Sequence, residues 1–254
     1  MKTKLTLVGA GPGDPELITL KGLKAIQNAD SILYDALVSE ELLKHAPAHC
    51  VMQYVGKRFG QPSMKQDEIN QLIVEFAFKY GNVVRLKGGD PFIFGRAPEE
   101  IQHAESFGIE VDVIPGLSSA TAVAASNKIA LTQRGVSRGF RVITGTISES
   151  ELNEDLITAA HSGETTVILM GMNKLQLITE LFSTFGKADL PVAIIQNGTL
   201  PNEKVVTGLV KDIYGKAQQE QLKSPAIIVI GESVDWRKAF EKVTVEAKGN
   251  NNEW

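Results

Sequence analysis

The residues best able to do chemistry in this 254-residue chain gather where short apolar runs end in glycine. Val84-Arg85-Leu86-Lys87-Gly88-Gly89-Asp90-Pro91-Phe92-Ile93-Phe94-Gly95-Arg96 begins as a buried strand and then presents two glycines, an acid and a proline at the strand's carboxyl end. Open α/β sheets bind ligands at that end. Lacking side chains, Gly88 and Gly89 would let a ligand reach the backbone, and Asp90 could accept hydrogen bonds from a hydroxyl or ammonium group. Arg85, Lys87 and Arg96 set cations near the turn, which suits an anionic ligand; a plain Gly-Gly-Asp-Pro connection is the alternative.

A second glycine turn, Gly9-Ala10-Gly11-Pro12-Gly13-Asp14-Pro15, follows the first apolar run, where a dinucleotide fold puts its phosphate loop. The spacing is wrong for that use. The third glycine of the fingerprint is replaced by Asp14, whose charge would repel a pyrophosphate while itself capping the helix start. His45-Ala46-Pro47-Ala48-His49-Cys50 holds two imidazoles and a thiol, but Pro47 breaks the helix that would align the histidines and no fourth ligand is near, so no metal is expected.

The elements that must position these residues follow from the apolar pattern. Leu5–Val8, Ser31–Tyr34, Val51–Val55, Val83–Leu86 and Val111–Ile114 read as short strands, and their alternation with helical patterns argues for parallel strands joined by crossover helices. Ile69, Leu72, Ile73, Phe76, Ala77 and Tyr80 make a one-faced stripe of helical period that ends at Gly81, with Phe76 and Tyr80 as core. A first helix is expected from Pro15, capped by Asp14 and presenting Leu17, Leu20, Leu23 and Ile26. After Pro115-Gly116 the composition turns to small residues, so a domain boundary is placed there: residues 1–115 form one α/β domain and 116–254 another. In the second, strands are expected at Phe140–Thr144, Thr166–Met170, Val192–Gln196 and Ala226–Ile230, with helices around 152–161, 174–185 and 209–221. Ser148–Asp155 reads as a solvated loop and helix start, Lys248–Trp254 as a frayed tail, and Trp236 and Trp254 as packing or tail residues.

Composition excludes other classes. Hydrophobic residues at 43% and charged residues at 22% describe a chain that folds, and 26 Lys plus Arg against 30 Asp plus Glu leaves a net charge of -4 that disfavours a nucleic-acid partner. The single Cys50 forms no internal disulfide, which points to the reducing cytoplasm. The opening apolar run is too short for a signal peptide or membrane span, so the amino terminus is expected to belong to the fold, with no membrane partner.

With the first motif extended through Glu16-Leu17-Ile18-Thr19-Leu20-Lys21-Gly22, the two glycine turns together resemble the two signatures of the uroporphyrinogen-III C-methyltransferases, within the tetrapyrrole methylase superfamily. The resemblance covers essentially the whole chain. It continues through Tyr34-Asp35, Val55-Gly56-Lys57-Arg58, Pro115 to Ala120, Leu131-Thr132-Gln133-Arg134, Met170 to Asn173, Gln196 to Thr199 and Ser224-Pro225-Ala226. It departs at Ala97-Pro98, where two glycines are common, at Ser119, often alanine, and at Leu169, usually aromatic.

The resemblance implies two α/β domains with the cofactor cleft between them, in a homodimer. It also implies two methyl transfers from S-adenosylmethionine to carbons 2 and 7 of uroporphyrinogen III, giving precorrin-2 by way of precorrin-1 for sirohaem or cobalamin synthesis, with S-adenosylhomocysteine as coproduct and no metal. Donor contacts carried over are Pro12, Gly88, Gly89, Asp90, Ile93, Ser118, Ser119, Met170, Gly198 and Ala226. Attack by a pyrrole carbon creates positive charge relieved by proton loss, so a carboxylate near the ring is needed; Asp35, at the end of the second strand, is the candidate. The family assigns Lys57 as a proton donor, although an exposed lysine is a poor acid near neutrality and substrate anchoring is an equal reading. Arg58, Arg96 and Arg134 are the other candidate anchors for the polyanionic substrate. Because the likeness takes up the full length, no fused dehydrogenase or chelatase segment is expected. The rivals are a later precorrin methyltransferase, a diphthine synthase or ribosomal-RNA methylase relative, a nicotinamide oxidoreductase and a non-catalytic binding module.

Overall fold

The computed structural model describes residues 3–56, 64–146 and 154–235. Lys57, Arg58, Trp236, the tail and most of the acidic stretch from Ser148 lie outside the described residues. The chain divides into two compact units, Met1–Ser119 and Ala120–Trp254.

The first unit runs β1 (Lys4–Gly9), α1 (Leu20–Gln27), β2 (Ser31–Tyr34), α2 (Glu40–Leu43), β3 (Val51–Tyr54), α3 (Gln66–Tyr80), β4 (Asn82–Lys87), α4 (Ala97–Ser106) and β5 (Glu110–Ile114). Its five strands are all parallel, in the order β3-β2-β4-β1-β5. Central β4 is buried on both faces, as helices on the two sides of a parallel sheet require. Val84 and Leu86 pack with Ile26, Ile32 and Leu42, whereas Val83 packs with Ile69, Ile73 and Ala104. The two-residue period of a strand therefore sends Arg85 and Lys87 onto Val83's face, into the core beneath α3 and α4. α3 follows the expected stripe and ends at Gly81.

The amino-terminal helix differs from expectation. Asp14 does cap a turn, accepting from Glu16 N at 2.9 Å, but the turn is a short 3₁₀ segment, Pro15–Leu17. The chain then extends through Ile18 and Thr19, and α1 starts afresh with the Thr19 hydroxyl accepting from Gly22 N at 3.0 Å. The restart rotates Leu20 outward to 78% exposure, while Gly22 and Ile26 supply the buried face. Two local caps prevailed over one apolar stripe.

The second unit contains most of α5 (Ser119–Ser126), then β6 (Phe140–Thr144), α6 (Glu154–His161), β7 (Thr165–Leu169), α7 (Leu175–Thr184), β8 (Pro191–Gln196), β9 (Lys204–Leu209), α8 (Val210–Gln219) and β10 (Ala226–Ile230). Its sheet order is β6-β7-β10-β8-β9. Only β6 and β7 pair in parallel; β10 runs antiparallel to both its neighbours, and β9 antiparallel to β8. The strands expected at Phe140–Thr144, Thr166–Met170, Val192–Gln196 and Ala226–Ile230 are present, in a mixed sheet, unlike the all-parallel sheet of the first unit. β9 had not been expected: it is an edge strand exposed at Lys204 and Val205, without the buried apolar run that marks a central strand.

Candidate active site

Three backbone segments cross at the carboxyl edge of the first sheet. Gly11 N donates to Gly89 O at 3.2 Å and Gly89 N donates to Gly11 O at 2.7 Å, while Ala10 N donates to Lys87 O at 2.8 Å. Gly116 enters the same crossing: a β-carbon on it would lie 2.3 Å from Gly89 O, and one on Gly9 would lie 2.5 Å from Gly116 Cα. Side chains at Gly9 or Gly116 would drive the segments apart. The opening glycine turn is thereby occupied in holding the second one.

Gly88 and Gly89 are not equivalent. Leu37 Cβ stands 2.7 Å from where a Gly88 β-carbon would be, so the missing side chain there admits Leu37 and not a ligand, contrary to expectation. Gly89 is left-handed, at φ 68°, and its α-carbon is open, with only Ser119 N within 4 Å of the absent β-carbon, at 3.9 Å. Asp90 braces the loop: Oδ1 accepts from Phe92 N at 2.8 Å and Oδ2 from Gly116 N at 3.1 Å. Each oxygen keeps capacity for a further donor. These contacts bring Pro12, Gly88, Gly89, Asp90, Ser118 and Ser119 together, with Ile93 exposed on the same loop between Phe92 and Phe94.

Asp35 directly follows β2 at the same edge, and its N–H donates to Leu86 O at 3.3 Å. Its side chain is 29% exposed, and Oδ1 accepts from Arg85 Nη2 at 2.6 Å. The sequence reading set Arg85 and Lys87 beside the turn as cations for an anionic ligand; the structure turns both inward. Both are buried and share Glu100 of α4, whose Oε1 accepts from Arg85 Nε at 3.2 Å and Lys87 Nζ at 2.8 Å. Burial acts against the Arg85 charge, but Glu100 and Asp35 outweigh it and hold the guanidinium above its ordinary range. Burial, and then repulsion from Arg85, pushes the Lys87 ammonium down.

Arg96 caps α4 from a left-handed backbone, φ 57°, and its exposed guanidinium grips Glu99, with Nε at 2.8 Å from Oε1. Ala97, where the resemblance would have a glycine, is fully buried as the first residue of that helix.

In the second unit, Met170 follows β7, Gly198 lies just beyond β8, and Ala226 opens the antiparallel β10 opposite Gln196, so the three share one edge of that sheet. Met170 is 53% exposed, with left-handed backbone at φ 56°. A β-carbon on Gly198 would lie 2.3 Å from Val123 Cγ1, so this glycine lets α5 approach. Arg134 is apart from them, exposed in the turn Gln133–Ser137, whose Ser137 hydroxyl accepts from Thr165 N at 3.2 Å at the opposite end of β7.

Sequence reasoning missed Glu100 together with α4. The signal was present, since Ala97, Glu100, Ile101 and Ala104 have helical spacing and place an acid on an apolar face, which calls for a buried cation.

Comparison with known proteins decides the family. The model of the tetrapyrrole (corrin/porphyrin) methylases matches residues 4–214. The chain belongs to the tetrapyrrole methylases. It is an enzyme, a methyltransferase of tetrapyrrole metabolism. Among other tetrapyrrole methylases it is 47% identical to the uroporphyrinogen-III C-methyltransferase of Methanocaldococcus jannaschii over 92% of this chain and 98% of that one. A sirohaem synthase of Actinobacillus pleuropneumoniae serotype 7 is 44% identical over 92% of this chain, which spans only 48% of the synthase. Among solved structures, a cobalt precorrin-4 methyltransferase superposes with TM-score 0.82 at 28% identity, covering 91% of this chain and 96% of the other. The uroporphyrin-III C-methyltransferase of Thermus thermophilus complexed with S-adenosylhomocysteine superposes with TM-score 0.77 at 36% identity, covering 91% and 99%.

Proposed function

We propose that this methylase transfers two methyl groups from S-adenosylmethionine to carbons 2 and 7 of uroporphyrinogen III, giving precorrin-2 by way of precorrin-1 for sirohaem or cobalamin synthesis. The observation that carries the reading is the 47% identity with a uroporphyrinogen-III C-methyltransferase, over 92% of this chain and 98% of that one. The first unit fits such a donor: the Gly89 α-carbon is open, Asp90 keeps acceptor capacity and Ile93 offers exposed apolar surface. Pro12, Gly88, Gly89, Asp90, Ile93, Ser118 and Ser119 are assigned to donor binding, with Gly88 acting by seating Leu37. Met170, Gly198 and Ala226 are assigned to it from the second unit.

The bound donor supplies an electrophilic methyl group on a sulfonium. Asp35 performs the residue chemistry: its carboxylate, anchored through Oδ1, stabilises the positive charge that develops on the methylated pyrrole and takes the proton whose loss restores neutrality. Main-chain donor binding serves alignment, where much of the acceleration of a displacement originates. Lys57, as proton donor or anchor, and Arg58, Arg96 and Arg134, as anchors, are assigned to the substrate's carboxylates. For Arg96 this requires release from Glu99. The enzyme is proposed to be a cytoplasmic homodimer without a metal; no helix among the described residues is long and apolar enough to cross a membrane.

A later precorrin methyltransferase is the second reading, favoured by the TM-score of 0.82 to the cobalt precorrin-4 enzyme. Anaerobic incubation with uroporphyrinogen III and labelled S-adenosylmethionine separates the two. Incorporation of two labels per tetrapyrrole is expected. None, from folded protein that methylates cobalt-precorrin-4 instead, would establish the second reading.

A further inference from the structure

We infer that Glu100, remote from the site edge on α4, is a positioning residue for Asp35 and acts through Arg85. The inference deepens the proposed function and rests on it for the role of Asp35. Its basis is a chain of charge-assisted contacts inside the first unit. Glu100 Oε1 receives Arg85 Nε at 3.2 Å, Lys87 Nζ at 2.8 Å and Gln66 Nε2 at 3.2 Å. Arg85 Nη1 donates to the Leu86 and Leu33 carbonyls at 3.1 and 3.4 Å, and Nη2 donates to Asp35 Oδ1 at 2.6 Å.

A guanidinium is a rigid planar fork. Once Nε is fixed by Glu100 and Nη1 by two strand carbonyls, the direction of Nη2 is no longer free, and the position of Asp35 Oδ1 follows from it. Asp35 Oδ2 has no hydrogen-bond partner among the described residues. One oxygen is therefore anchored while the other is available.

Stability is a poor account of Glu100. It is 0% exposed, and its second oxygen, Oε2, is buried without a hydrogen-bond partner among the described residues. A buried ion network with an unsatisfied oxygen is generally no more stable than an apolar core of the same shape. What the network does provide is a fixed line from α4 through central β4 to Asp35 at the sheet edge.

The test is a double-mutant cycle. Glu100→Gln keeps the shape and removes the charge that holds the guanidinium. Expected is a fall in kcat on the order of tenfold to a hundredfold, the scale of a displaced catalytic group, with KM for the tetrapyrrole and affinity for S-adenosylhomocysteine within about twofold of wild type. In the Asp35→Ala background the same change should cost less than about twofold. Equal losses in both backgrounds, or unchanged kcat in folded Glu100→Gln, would overturn the inference. Should Glu100→Gln not fold, Arg85→Lys, which keeps the charge and loses the fork, takes its place in the cycle with the same expectation and the same disproof.

A crystal structure of the Glu100→Gln or Arg85→Lys variant needs no substrate. Asp35 detached from residue 85 supports the coupling even if wild type leaves uroporphyrinogen III untouched, a result that would sink the substrate assignment alone. Asp35 unmoved overturns the coupling whatever the wild type methylates.

Discussion

Asp35 and Asp90 stand at the same sheet edge and hold their carboxylates in different ways. Asp90 gives both oxygens to backbone N–H groups of its own loop and of Gly116, whereas Asp35 gives one oxygen to a buried guanidinium. The difference predicts opposite phenotypes. Asp35→Ala should lower turnover about a hundredfold or more, the upper part of what a positioned acid or base contributes, with S-adenosylhomocysteine affinity unchanged in a calorimetric titration. Asp90→Ala should loosen the loop and weaken that same affinity about tenfold, the effect of losing a charge-assisted hydrogen bond. Both aspartates were legible in the sequence as acids at the carboxyl ends of strands, Asp90 after two glycines and Asp35 directly after Tyr34. Their partners were not, because Arg85 and Gly116 are far from their aspartates along the chain and meet them only through strand pairing.

At the scale of elements, β4 does two jobs with alternate residues. Val84 and Leu86 fill one core, and Arg85 and Lys87 carry charge into the other against α4. Lys87, whose ammonium is pushed below the ordinary value of 10.5, binds fewer protons folded than unfolded in the interval beneath 10.5. Stability rises with pH wherever the unfolded state holds more protons, so burial of Lys87 destabilises least as pH approaches that value. The stability of wild type relative to Lys87→Met should therefore increase from pH 8 to pH 10 in urea unfolding, and a flat difference would contradict the direction given. The glycine crossing makes a separate prediction. Gly116→Ala places a β-carbon 2.3 Å from Gly89 O, where only backbone movement relieves the clash, and it should cost about 1–3 kcal/mol in the same measurement.

At the scale of the whole molecule, the assignment is a methylase and not a dinucleotide enzyme. S-Adenosylhomocysteine should raise the thermal midpoint in proportion to the logarithm of its concentration above Kd, and NAD should leave it unchanged. The opening glycine turn illustrates why: its Gly11 is hydrogen-bonded to Gly89, and its Asp14 caps the 3₁₀ turn, so neither cradles a pyrophosphate.

The sequence alone determined what depends on local rules. The five strands of the first unit, the stripe of α3 and the paired glycine signatures of the methylases were readable because strand period, helix period and turn chemistry act between near neighbours in the chain. Tertiary structure alone decided the antiparallel course of β10, the outward turn of Leu20, the filling of Gly88's space by Leu37, and the conversion of Arg85 and Lys87 from apparent ligand cations into an internal network on Glu100. The physical reason is that a charge is described by its type in sequence but by its neighbours in space. Whether a cation meets solvent, a ligand or a buried carboxylate depends on which helix covers its strand, and that is settled only when the sheet is packed.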